Sequence, residues 1–509
     1  MTDRTLYEWF RHSADRFPGA PAVELAGAAV TYRELRELAE TLAGRILGAH
    51  GHAPRRLALL ADRTVLGFAG YLAALRLGAV VTPLHPTFPA ARNATVCALA
   101  GAELVLADSA ATARLAADLP VTALSLSELD GPVAALPPYH GSLDDVAYVL
   151  FTSGSTGRPK GVPIRHRNLS PYIAHNIDRF EVGPGCRMSH TFDLTFDPSV
   201  FDMFVTWGGG ATLVVPQRTD LLTPAAYIAG NALTHWFSVP SVVSVSAELG
   251  NLPAGAVDSL RYSVFIGEAL TMSQARAWHA MAPDSVVENV YGPTELTVAC
   301  AEYRLPRDPM DWPRTSNDTV PIGPIYEFLD WLVLDEHGAP AEEGELCVRG
   351  SQRFDGYLDA VDNEGRFLSH EDGRTRPYDG SSDLTAAHYY RTGDRVRLEA
   401  GEWVHLGRLD HQVKIRGFRV ELGEIEAAMR RCPGVRDAIV IAVGRGEDVE
   451  LAGFHAGAPI SSSALIRWLR KQVPIHMVPR RFTYLPEIPL NPNGKADRGR
   501  LRELLAAGA

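Results

Sequence analysis

The stretch YVLFTSGSTGRPKG (148–161) joins an apolar run to a loop of Gly, Ser and Thr residues that ends in a lysine. Small hydroxyl side chains and unobstructed backbone N–H groups suit an anionic ligand, above all a phosphate, and Lys160 adds a positive charge. The spacing is not that of a Walker A loop, because Lys160 is followed by Gly161 rather than by Ser or Thr. A plain turn is the alternative for such a loop read alone, so its meaning depends on the rest of the chain.

Short apolar runs alternate with helix-length segments from about Leu57 onwards. LALLA (57–61) leads into a predicted helix over 64–77, Gly78 stands where a helix-ending glycine belongs, and AVVTPL (79–84) follows. The later runs are ELVLAD (103–108), DVAYVLF (145–151), ATLVVP (211–216), THWFSV (234–239), YSVFIG (262–267) and VVENVY (286–291). This alternation predicts α/β layers with mainly parallel strands.

Unusual sequences follow three of these predicted strands. They are the loop that begins at Thr152, the pair Gly267–Glu268, and YGPTE (291–295). In open α/β sheets, ligands bind beyond the carboxyl ends of the strands. We therefore expect the three loops to converge on one crevice.

Composition excludes several classes of protein. The net charge of −11 and the lack of a Lys/Arg block argue against nucleic-acid binding. No apolar stretch reaches the ~20 residues that span a bilayer, and the N-terminus (1–17) predicts an amphipathic helix rather than a signal peptide. The five cysteines are far apart and form no CxxC pair, which indicates neither a zinc site nor a disulfide framework. We expect a cytoplasmic protein that binds neither nucleic acids nor membranes.

Two segments differ in character from the α/β alternation. Residues 360–388 are polar and rich in Asp, Gly and Ser, so we expect a surface excursion there. After GRLD (407–410), about a hundred residues carry their own strand and helix patterns, such as AIVIAVG (438–444) and SSALIRWLRKQ (462–472). They predict a small second domain.

Lysine is rare in this chain: only four of the 49 basic residues are lysines, at 160, 414, 471 and 495. Arg and Lys exchange freely on a solvated surface, so a chain biased towards Arg is expected to keep Lys where a compact, flexible charge is needed. Lys471, in RWLRKQ (467–472), is expected to be an ordinary solvated residue of a helix. The other three are candidate functional residues.

The stretch YVLFTSGSTGRPKGVPIRHRNL (148–169) resembles the phosphate loop of the adenylate-forming (ANL) superfamily, which includes acyl-CoA synthetases, luciferases and the adenylation domains of nonribosomal peptide synthetases. Further motifs of the adenylation domains follow in order: VTYREL (30–35), ALRLGAVVTPLHP (74–86), FDPSVFDMF (196–204), NVYGPTE (289–295), GELCVRG (344–350), YRTGD (390–394), GRLDHQVKIRGFRVELGEIE (407–426), VPIHMVP (473–479) and NPNGKADR (491–498). The resemblance covers nearly the whole chain.

The resemblance implies an α/β fold in two domains. Residues 1–409 would form a large adenylation core of layered α/β sheets with a β-barrel-like subdomain. Residues 410–509 would form a small, mobile α+β domain that rotates about a hinge at Asp410. It implies an ATP-dependent ligase that makes aminoacyl-AMP and then loads the phosphopantetheine thiol of a carrier protein. Because the sequence ends soon after NPNGKADR with no carrier domain, we expect a separate carrier protein and a monomeric enzyme.

The resemblance also assigns nucleotide-binding residues. Asn289 and Tyr291 would contact adenine, Asp394 the ribose and Thr294 the α-phosphate, while Glu295 would hold Mg²⁺. The remaining predicted ATP contacts are Thr152, Ser153, Gly154, Ser155, Thr156, Gly157, Lys160, Gly267, Glu268, Ala269, Gly292, Arg408 and Lys495. Read in isolation, Asp394 would be a turn residue.

Catalytic roles follow from the same resemblance. Lys495 would reach the substrate carboxylate and the α-phosphate, where a flexible ammonium can follow the moving charge better than a guanidinium. Thr152, Glu295 and Lys414 are the other predicted catalytic residues. Gly417 would leave room for the pantetheine arm.

The substrate is expected to be an α-amino acid, because Asp197 stands where amino-acid-activating members hold the carboxylate that pairs with the α-ammonium. Its alternative role is that of an N-cap before a helix. The side-chain pocket would be lined by apolar residues, namely Pro198, Phe201, Phe237, Val264, Ile266, Val290, Val298 and Ala299, with Gly267 and Lys495 also near the substrate. Such a pocket favours alanine first, then glycine or serine.

Several rival functions remain open at this stage. FDLTFDPSVFDMF (192–204), WFSVPS (236–241) and FIGEAL (265–270) look like D-alanine:carrier-protein ligases, but those have a Cys where Ile266 stands, which leaves the stereochemistry open. An acyl- or aryl-CoA synthetase is disfavoured by Asp197. A nucleotide-sensing pseudoenzyme is disfavoured because no motif residue is missing.

Overall fold

The computed structural model describes residues 3–153, 158–410, 412–415, 417–444, 449–489 and 496–506. The chain divides into two compact units. The larger comprises Met1–Pro86, Cys97–Leu150 and Gly161–Leu409, and the smaller comprises Thr87–Val96, Phe151–Lys160 and Asp410–Ala509.

The helices of the described residues are short to medium in length. They are α1 Leu6–Arg16, α2 Tyr32–His50, α3 Val65–Arg76, α4 Ala90–Ala100, α5 Ala110–Ala116, α6 His166–Arg179, α7 Pro198–Gly209, α8 Pro224–Gly230, α9 Ser241–Glu248, α10 Met272–Met281, α11 Leu422–Arg430, α12 Ser462–Leu469 and α13 Arg498–Ala506. The predicted amphipathic N-terminal helix is confirmed as α1, which Thr5 and Glu8 begin with a reciprocal capping box.

The strands alternate with these helices over the first three hundred residues and then dominate. They are β1 Pro21–Leu25, β2 Ala28–Thr31, β3 Arg56–Leu60, β4 Val80–Leu84, β5 Leu104–Ala107, β6 Ala123–Ser125, β7 Val146–Thr152, β8 Lys160–Arg165, β9 Arg187–Ser189, β10 Thr212–Val215, β11 His235–Ser238, β12 Tyr262–Phe265, β13 Val286–Tyr291, β14 Ala301–Arg304, β15 Leu329–Leu334, β16 Glu343–Gly350, β17 Phe367–Glu371, β18 Arg374–Pro377, β19 Tyr389–Glu399, β20 Glu402–Arg408, β21 Gln412–Ile415, β22 Phe418–Glu421, β23 Val435–Val443, β24 Glu450–Gly457 and β25 Arg481–Tyr484.

One sheet has the strand order β6-β5-β3-β4-β7-β8. Strand β3 pairs in parallel with both β4 and β5, and β4 pairs in parallel with β7. Between β3 and β4, the predicted helix forms as α3: the Thr64 hydroxyl accepts from the Gly67 N–H at its start, and Gly78, with φ +74°, follows its end. The predicted α/β alternation is confirmed here.

A second sheet has eight strands in the order β14-β13-β12-β11-β9-β10-β1-β2. Its inner neighbours are parallel, and only the two edge strands, β2 and β14, run antiparallel. Every apolar run that the sequence analysis singled out contains a strand of one of these two sheets. The carboxyl ends of β12 and β13 lie side by side, since Phe265 is the Cα partner of Asn289.

Helix α7 is buried along nearly its whole length, from Pro198 to Trp207. Burial on all sides explains why its sequence shows almost no polar face. At its C-terminal part, Trp207 lies edge-on to Phe10 and Phe204, and its indole N–H donates to the Ala22 carbonyl at 3.0 Å. The helix is thereby fixed against its neighbours.

An antiparallel sheet occupies residues 329–408, with the order β15-β16-β19-β17-β18 and β20 paired to β19. It is the β-rich part that the resemblance implied. The prediction of a surface excursion over 360–388 is only partly correct, because β17 and β18 form a hairpin that joins this sheet, and Phe367 and Leu368 are buried. Asp372 and Gly373 form its exposed turn, and the Asp, Gly and Ser residues of 379–383 are exposed after it.

The smaller unit has α+β architecture. The hairpin of β21 and β22 precedes α11, and β23, β24 and β25 form a separate three-stranded sheet. The core of Ile425, Met429, Val440 and Leu465 is contributed by helices and strands together. The predicted α/β class, with a large N-terminal part and a small α+β part, is confirmed.

Two observations bear on membrane spans and disulfides. Within the described ranges, no helix combines the length and the apolar character needed to cross a bilayer. All five cysteines are free thiols with buried side chains.

Candidate active site

Asp197 stands immediately before α7, at its N-cap position, with Pro198 at the first turn. Its side chain makes no capping hydrogen bond to the helix, so the alternative role of a helix cap is not observed. The carboxylate is only 9% exposed. The pKa values of two buried phenols, Tyr148 and Tyr172, lie well above 10.0. Burial is the larger cause, and the negative charge of Asp197 is the second.

Aromatic side chains follow Asp197. The ring centroid of Phe201, one turn into α7, lies 4.4 Å from that of Phe237 on β11, and Phe192 lies 5.1 Å from Phe237 on another side. Phe237 is in turn the Cα partner of Val264 on β12. The structure thus brings together Phe201, Phe237 and Val264, three of the residues predicted to line the side-chain pocket. Phe192 was missed, although it lies in the quoted run that contains Asp197.

The other predicted pocket residues are all buried. Pro198 is at the start of α7, Ile266 directly follows β12, Val290 is on β13, and Val298 and Ala299 are in the segment after it. The backbone N–H of Ile266 donates to the Ser238 carbonyl at 3.1 Å, which extends the pairing of β11 and β12 beyond their ends.

The phenol of Tyr291, at the end of β13, donates a hydrogen bond to Asp394 on β19, with 2.6 Å between Oη and Oδ2. The other oxygen of Asp394, Oδ1, lies 3.0 Å from Nη1 of Arg408 and 3.1 Å from Nε2 of His405. Burial, followed by the charge of Asp394, raises the pKa of Tyr291 well above 10.0. The structure brings together three predicted nucleotide contacts, and His405 is a fourth residue that the sequence did not reveal.

The alternative role of Asp394 as a turn residue is wrong. It lies inside β19, where it is the Cα partner of Arg408 on β20, and is 3% exposed. A carboxylate in the middle of a strand needs fixed hydrogen-bond donors, and Tyr291 and Arg408 provide them.

Glu295 lies in a single turn of 3₁₀ helix, Thr294–Leu296, and its side chain is fully buried. The phenol of Tyr357 donates to Oε1 of Glu295 at 2.6 Å, and this phenol is also 3.3 Å from that of Tyr390. Tyr357 therefore fixes the orientation of the carboxylate. Carboxylate oxygens are the ligands that Mg²⁺ prefers, so the donor chemistry of Glu295 fits that ion.

The segment after β13 is held in a strained conformation. Thr297 and Val298 have φ values of +60° and +73°, and a β-branched residue rarely adopts this left-handed region. Gly292 allows the tight approach, because a Cβ there would lie 2.6 Å from Cα of Ala299. Strain of this kind persists only where the surroundings impose it.

Gln352 imposes that conformation. Its side chain is fully buried, and Nε2 donates to the carbonyls of Leu296, Thr297 and Ala299 at 3.0, 3.2 and 2.7 Å. The Thr297 hydroxyl returns a hydrogen bond of 2.6 Å to the Gln352 carbonyl. A single glutamine in GSQRF (350–354) carries no recognisable pattern, so the sequence analysis missed it.

The remaining predicted residues near β12 and β13 have clear structural roles. The amide Nδ2 of Asn289 donates to the carbonyls of Val320 and Pro321 at 3.2 and 2.8 Å, which fixes the orientation of its side chain. Gly267 has φ +93° directly after β12. Glu268 accepts from the Ser241 N–H at 3.0 Å, and Ala269 is exposed.

A second buried network supports Phe237. Nδ1 of His190 lies 3.1 Å from Oδ2 of Asp202, and both side chains are fully buried. Burial lowers the pKa of His190 well below 6.5 and raises the pKa of Asp202 well above 3.8, so burial favours the uncharged form of each group. Asp202 also accepts from the Thr191 N–H, and the Thr191 hydroxyl donates to the Phe237 carbonyl at 2.6 Å.

The predicted residues of the smaller unit lie in a loop and a hairpin. Thr152 ends β7 and Lys160 begins β8, where it is buried. Ser153 donates to the Arg419 carbonyl at 2.9 Å. Lys414 is in β21, as the Cα partner of Arg419, and Asp410 accepts from the Gln412 N–H at 3.1 Å. Lys471 is exposed as predicted, but its placement in a helix is wrong, because α12 ends at Leu469 and Lys471 lies in the turn that follows.

Gly417 lies in the turn between β21 and β22 with φ +81°. The turn itself therefore requires glycine, independently of any ligand. Gly154, Ser155, Thr156, Gly157 and Lys495, which were predicted to contact ATP, lie outside the described residues. The predicted convergence of the Gly-rich loop with the other two loops stays a prediction.

Comparison with known families identifies the class of protein. Residues 10–358 match the family described as AMP-binding enzyme, and residues 424–495 match the AMP-binding enzyme C-terminal domain. The chain belongs to the AMP-binding enzyme family. This is a family of adenylate-forming ligases, and the resemblance noted in the sequence is confirmed.

The relatives include one protein more than twice as long as this chain and one of nearly the same length. The chain is 37% identical to the phosphinothricin tripeptide synthetase PhsC of Streptomyces viridochromogenes, over 99% of its own length but 45% of that protein. It is 31% identical to the L-proline--[L-prolyl-carrier protein] ligase of Pseudomonas fluorescens, over 97% of its own length and 98% of the relative. It thus spans less than half of the large synthetase and nearly all of the ligase.

Solved structures share the fold over the full chain. The crystal structure of IdnL7 is 38% identical, with a TM-score of 0.72 and complete coverage of both chains. The adenylation domain AlmE of Vibrio cholerae, in complex with glycyl-adenosine-5'-phosphate, is 26% identical, with a TM-score of 0.83 and coverage of 100% of this chain and 98% of that one.

Proposed function

We propose that this chain activates a small α-amino acid and loads it onto a carrier protein. In the first step a carboxylate oxygen of the amino acid attacks the α-phosphorus of ATP, and pyrophosphate leaves. In the second step the phosphopantetheine thiol loses its proton and attacks the acyl carbon, and AMP leaves. The observation that carries the proposal is the buried Asp197 at the start of α7, one helical turn before Phe201, whose ring packs with those of Phe237 and Phe192 in one aromatic group.

This arrangement suits the two ends of an α-amino acid. The α-ammonium would pair with Asp197, because a buried carboxylate is costly unless a positive charge lies opposite it. The side chain would contact the apolar residues one turn further along α7 and on β11. Two relatives support the amino-acid class: one is named a prolyl-carrier protein ligase, and one was solved with a glycyl adenylate.

Alanine is the proposed substrate, followed by glycine and serine. The residues predicted to surround the side chain are apolar and include two close-packed phenylalanines, Phe201 and Phe237. They provide no charge or amide for a polar side chain. Because one relative is named for proline, this imino acid belongs in the same comparison.

The nucleotide would bind through residues whose positions are already fixed. Asp394 would accept hydrogen bonds from the ribose, Asn289 and Tyr291 would contact adenine, and Thr294 would contact the α-phosphate. Glu295 would hold Mg²⁺, which when bound supplies positive charge beside the phosphate oxygens. The protein's own contribution is to orient these groups, and Tyr357 does so for Glu295.

Lys495 would supply the mobile positive charge in the first step, and Lys414 a further one. We further propose that residues 1–409 bind ATP and the amino acid, and that residues 410–509 move about Asp410 between the two steps. Gly417, which has no side chain, would leave room for the pantetheine arm. A substitution at Gly417 can test this role. Leucine would strain the turn as well as fill the space, whereas Asn is smaller and tolerates positive φ, so Gly417→Asn is the better variant.

ATP–pyrophosphate exchange tests the proposal. The panel contains the twenty L-amino acids, D-alanine, and benzoate and acetate as acids without an α-ammonium. We expect exchange with small amino acids, L-alanine highest, and none with benzoate or acetate. Exchange driven by benzoate or acetate would establish an acyl- or aryl-activating enzyme instead, and the complete lack of exchange would establish a nucleotide-binding protein without this activity.

Carrier loading tests the second step. A phosphopantetheine-bearing carrier protein incubated with enzyme, ATP and the best amino acid is expected to gain the mass of one aminoacyl group. A preference for D-alanine over L-alanine in both assays would establish the D-alanine ligase alternative.

A further inference from the structure

Two histidines and a glutamate lie together away from the residues discussed so far. His50 ends α2, Gly51 follows with φ +85°, and His52 comes next. The left-handed glycine reverses the chain, so the imidazole rings of His50 and His52 lie 4.5 Å apart at an angle of 70°. Together with a carboxylate oxygen of Glu103, one nitrogen from each ring forms a set whose members all lie within 4.8 Å of one another.

Sheet topology brings Glu103 to this place. Strands β3 and β5 are parallel neighbours, with Leu57 paired to Leu104, so the residues that precede them meet at the same edge. The Glu103 N–H donates to the Arg56 carbonyl at 3.0 Å, and the Arg55 N–H donates to Oε1 of Glu103 at 3.2 Å. The carboxylate is thereby oriented, with Oε2 lying 3.8 Å from Nε2 of His50.

Nε2 of His50 is covered from solvent but forms no hydrogen bond. A buried polar nitrogen of this kind costs free energy unless a partner satisfies it. The distance of 3.8 Å to Glu103 is too long for a hydrogen bond, yet it suits two ligands of one ion. The unsatisfied Nε2 of His50 therefore points to a bound cation, and this evidence is separate from the residue types that form the cluster.

We propose that His50, His52 and Glu103 form a binding site for a divalent transition-metal ion, with Zn²⁺ as the ion of best fit. Two imidazoles and one carboxylate are a ligand set that suits zinc, and water would complete its coordination. The C-terminal end of α2 adds a partial negative charge that favours a cation. The Arg55 N–H would act as the outer partner that holds the ligating carboxylate in place.

The position of the site indicates a structural role. It lies at the amino ends of β3 and β5, whereas Asn289 and Tyr291 lie towards the carboxyl end of β13 in the other sheet. A bound ion would link the end of α2 to the start of β5 across about fifty residues of chain. The ion should therefore stabilise the folded protein without taking part in the reaction.

Zinc titration of the full chain tests the proposal, after chelator treatment and dialysis. Isothermal titration with zinc chloride alone should show one site in the wild type that is lost, or weakened roughly tenfold or more, in His52→Ala and in Glu103→Gln. His52 is exposed, Glu103 is partly exposed, and Gln retains an acceptor for the Arg55 N–H, so both variants should fold. The matched control is His337→Ala, since His337 is an exposed histidine 3.6 Å from Glu336.

A second measurement separates a built site from general binding to surface histidines. Zinc should raise the thermal midpoint of the wild type and of His337→Ala, and should leave those of His52→Ala and Glu103→Gln unchanged. The proposal is overturned if all four proteins bind the same number of zinc ions with the same affinity and show the same thermal response.

Discussion

The phenol of Tyr291 donates to the carboxylate of Asp394 across 2.6 Å, although 103 residues of chain separate the two. Sequence motifs assigned one to adenine and the other to ribose. The structure shows one hydrogen-bonded unit, in which Arg408 is a second donor. A change at either residue therefore affects the orientation of the other.

Replacing Tyr291 with Phe removes this donor and keeps the ring. A hydrogen bond to a charged group contributes about 1.5–3 kcal/mol, so we expect the KM for ATP to rise by roughly ten- to a hundredfold. The KM for the amino acid should stay within about twofold. Steady-state exchange kinetics measure both, with Tyr303→Phe on β14 as a control. Equal changes in both KM values would contradict a role specific to the nucleotide.

Asp197→Ala tests the ammonium contact. Removing one partner of a buried ion pair costs about 3–5 kcal/mol, so amino-acid-dependent exchange should fall by roughly 10²–10⁴-fold. ATP binding, followed by equilibrium titration, should persist. Asp178→Ala, an exposed aspartate of α6, is the control. Wild-type exchange with alanine in Asp197→Ala would disprove the assignment.

Phe237→Leu tests the side-chain pocket. The smaller residue should open space next to Phe201 and shift the order of preference towards valine or leucine. The control is Phe265→Leu, because Phe265 is a fully buried residue of β12 whose ring packs on Trp278 in a different core cluster. Competition between alanine and leucine in the exchange assay measures the shift. A wild-type enzyme that already prefers leucine would show that the pocket residues are wrongly assigned.

Gln352→Leu tests how the strained segment is maintained. The substitution removes the donor to three buried carbonyls, each of which costs about 1–3 kcal/mol when left unsatisfied. We expect the free energy of unfolding in urea to fall by at least about 3 kcal/mol, and exchange to fall with it because Glu295 precedes the segment. Gln217→Leu, at an exposed position, should match the wild type. A fully stable Gln352→Leu variant would refute this role.

His166 should make stability depend on pH. Its Nδ1 accepts from the Leu6 N–H at 3.1 Å, and burial lowers its pKa from 6.5 to about 4. Because the unfolded chain then binds the proton first, this contribution is present above pH 6.5 and is lost as the pH falls towards 4, by roughly 3 kcal/mol in total.

His166→Asn keeps an acceptor for Leu6 and cannot be protonated. Urea unfolding at pH 7 and pH 4.5 should show a smaller acid-induced loss in this variant than in the wild type. His235, whose pKa is also lowered to about 4 by burial, should sustain part of the loss. The exposed His337→Asn is the control, and identical losses in all three proteins would contradict the prediction.

The sequence predicted the parallel strands because the features that form them are local. An apolar run such as VVENVY (286–291) predicts a buried strand from its own residues alone. Thr64 and Gly78 likewise mark the two ends of a helix by their own residue types. Motif resemblance then located Asp197, Tyr291 and Asp394, but it could not show that Tyr291 and Asp394 bond to each other.

The residues that escaped prediction act across long distances in the chain. Gln352, Tyr357 and His405 each hold a site residue, yet none belongs to a periodic pattern, since their partners are 53 to 62 residues away or on a neighbouring strand. Residues 360–388 misled for a related reason. Their polar composition reflects the exposed residues of the β17–β18 hairpin, but it gives no sign that β17 pairs with β19 in the sheet.

Helix α7 has a consequence for how the substrate of this fold can change. Its buried length holds Asp197 at a fixed place, whereas Phe237 and Ile266 come from β11 and the end of β12. In the proposed function, α7 would supply the ammonium partner Asp197 together with one wall of the side-chain pocket at Phe201, whereas the strands would supply the rest of that pocket. If the proposal holds, exchange of the strand residues alone should alter the choice of amino acid while Asp197 keeps its place, so that new substrates could evolve without redesign of the scaffold.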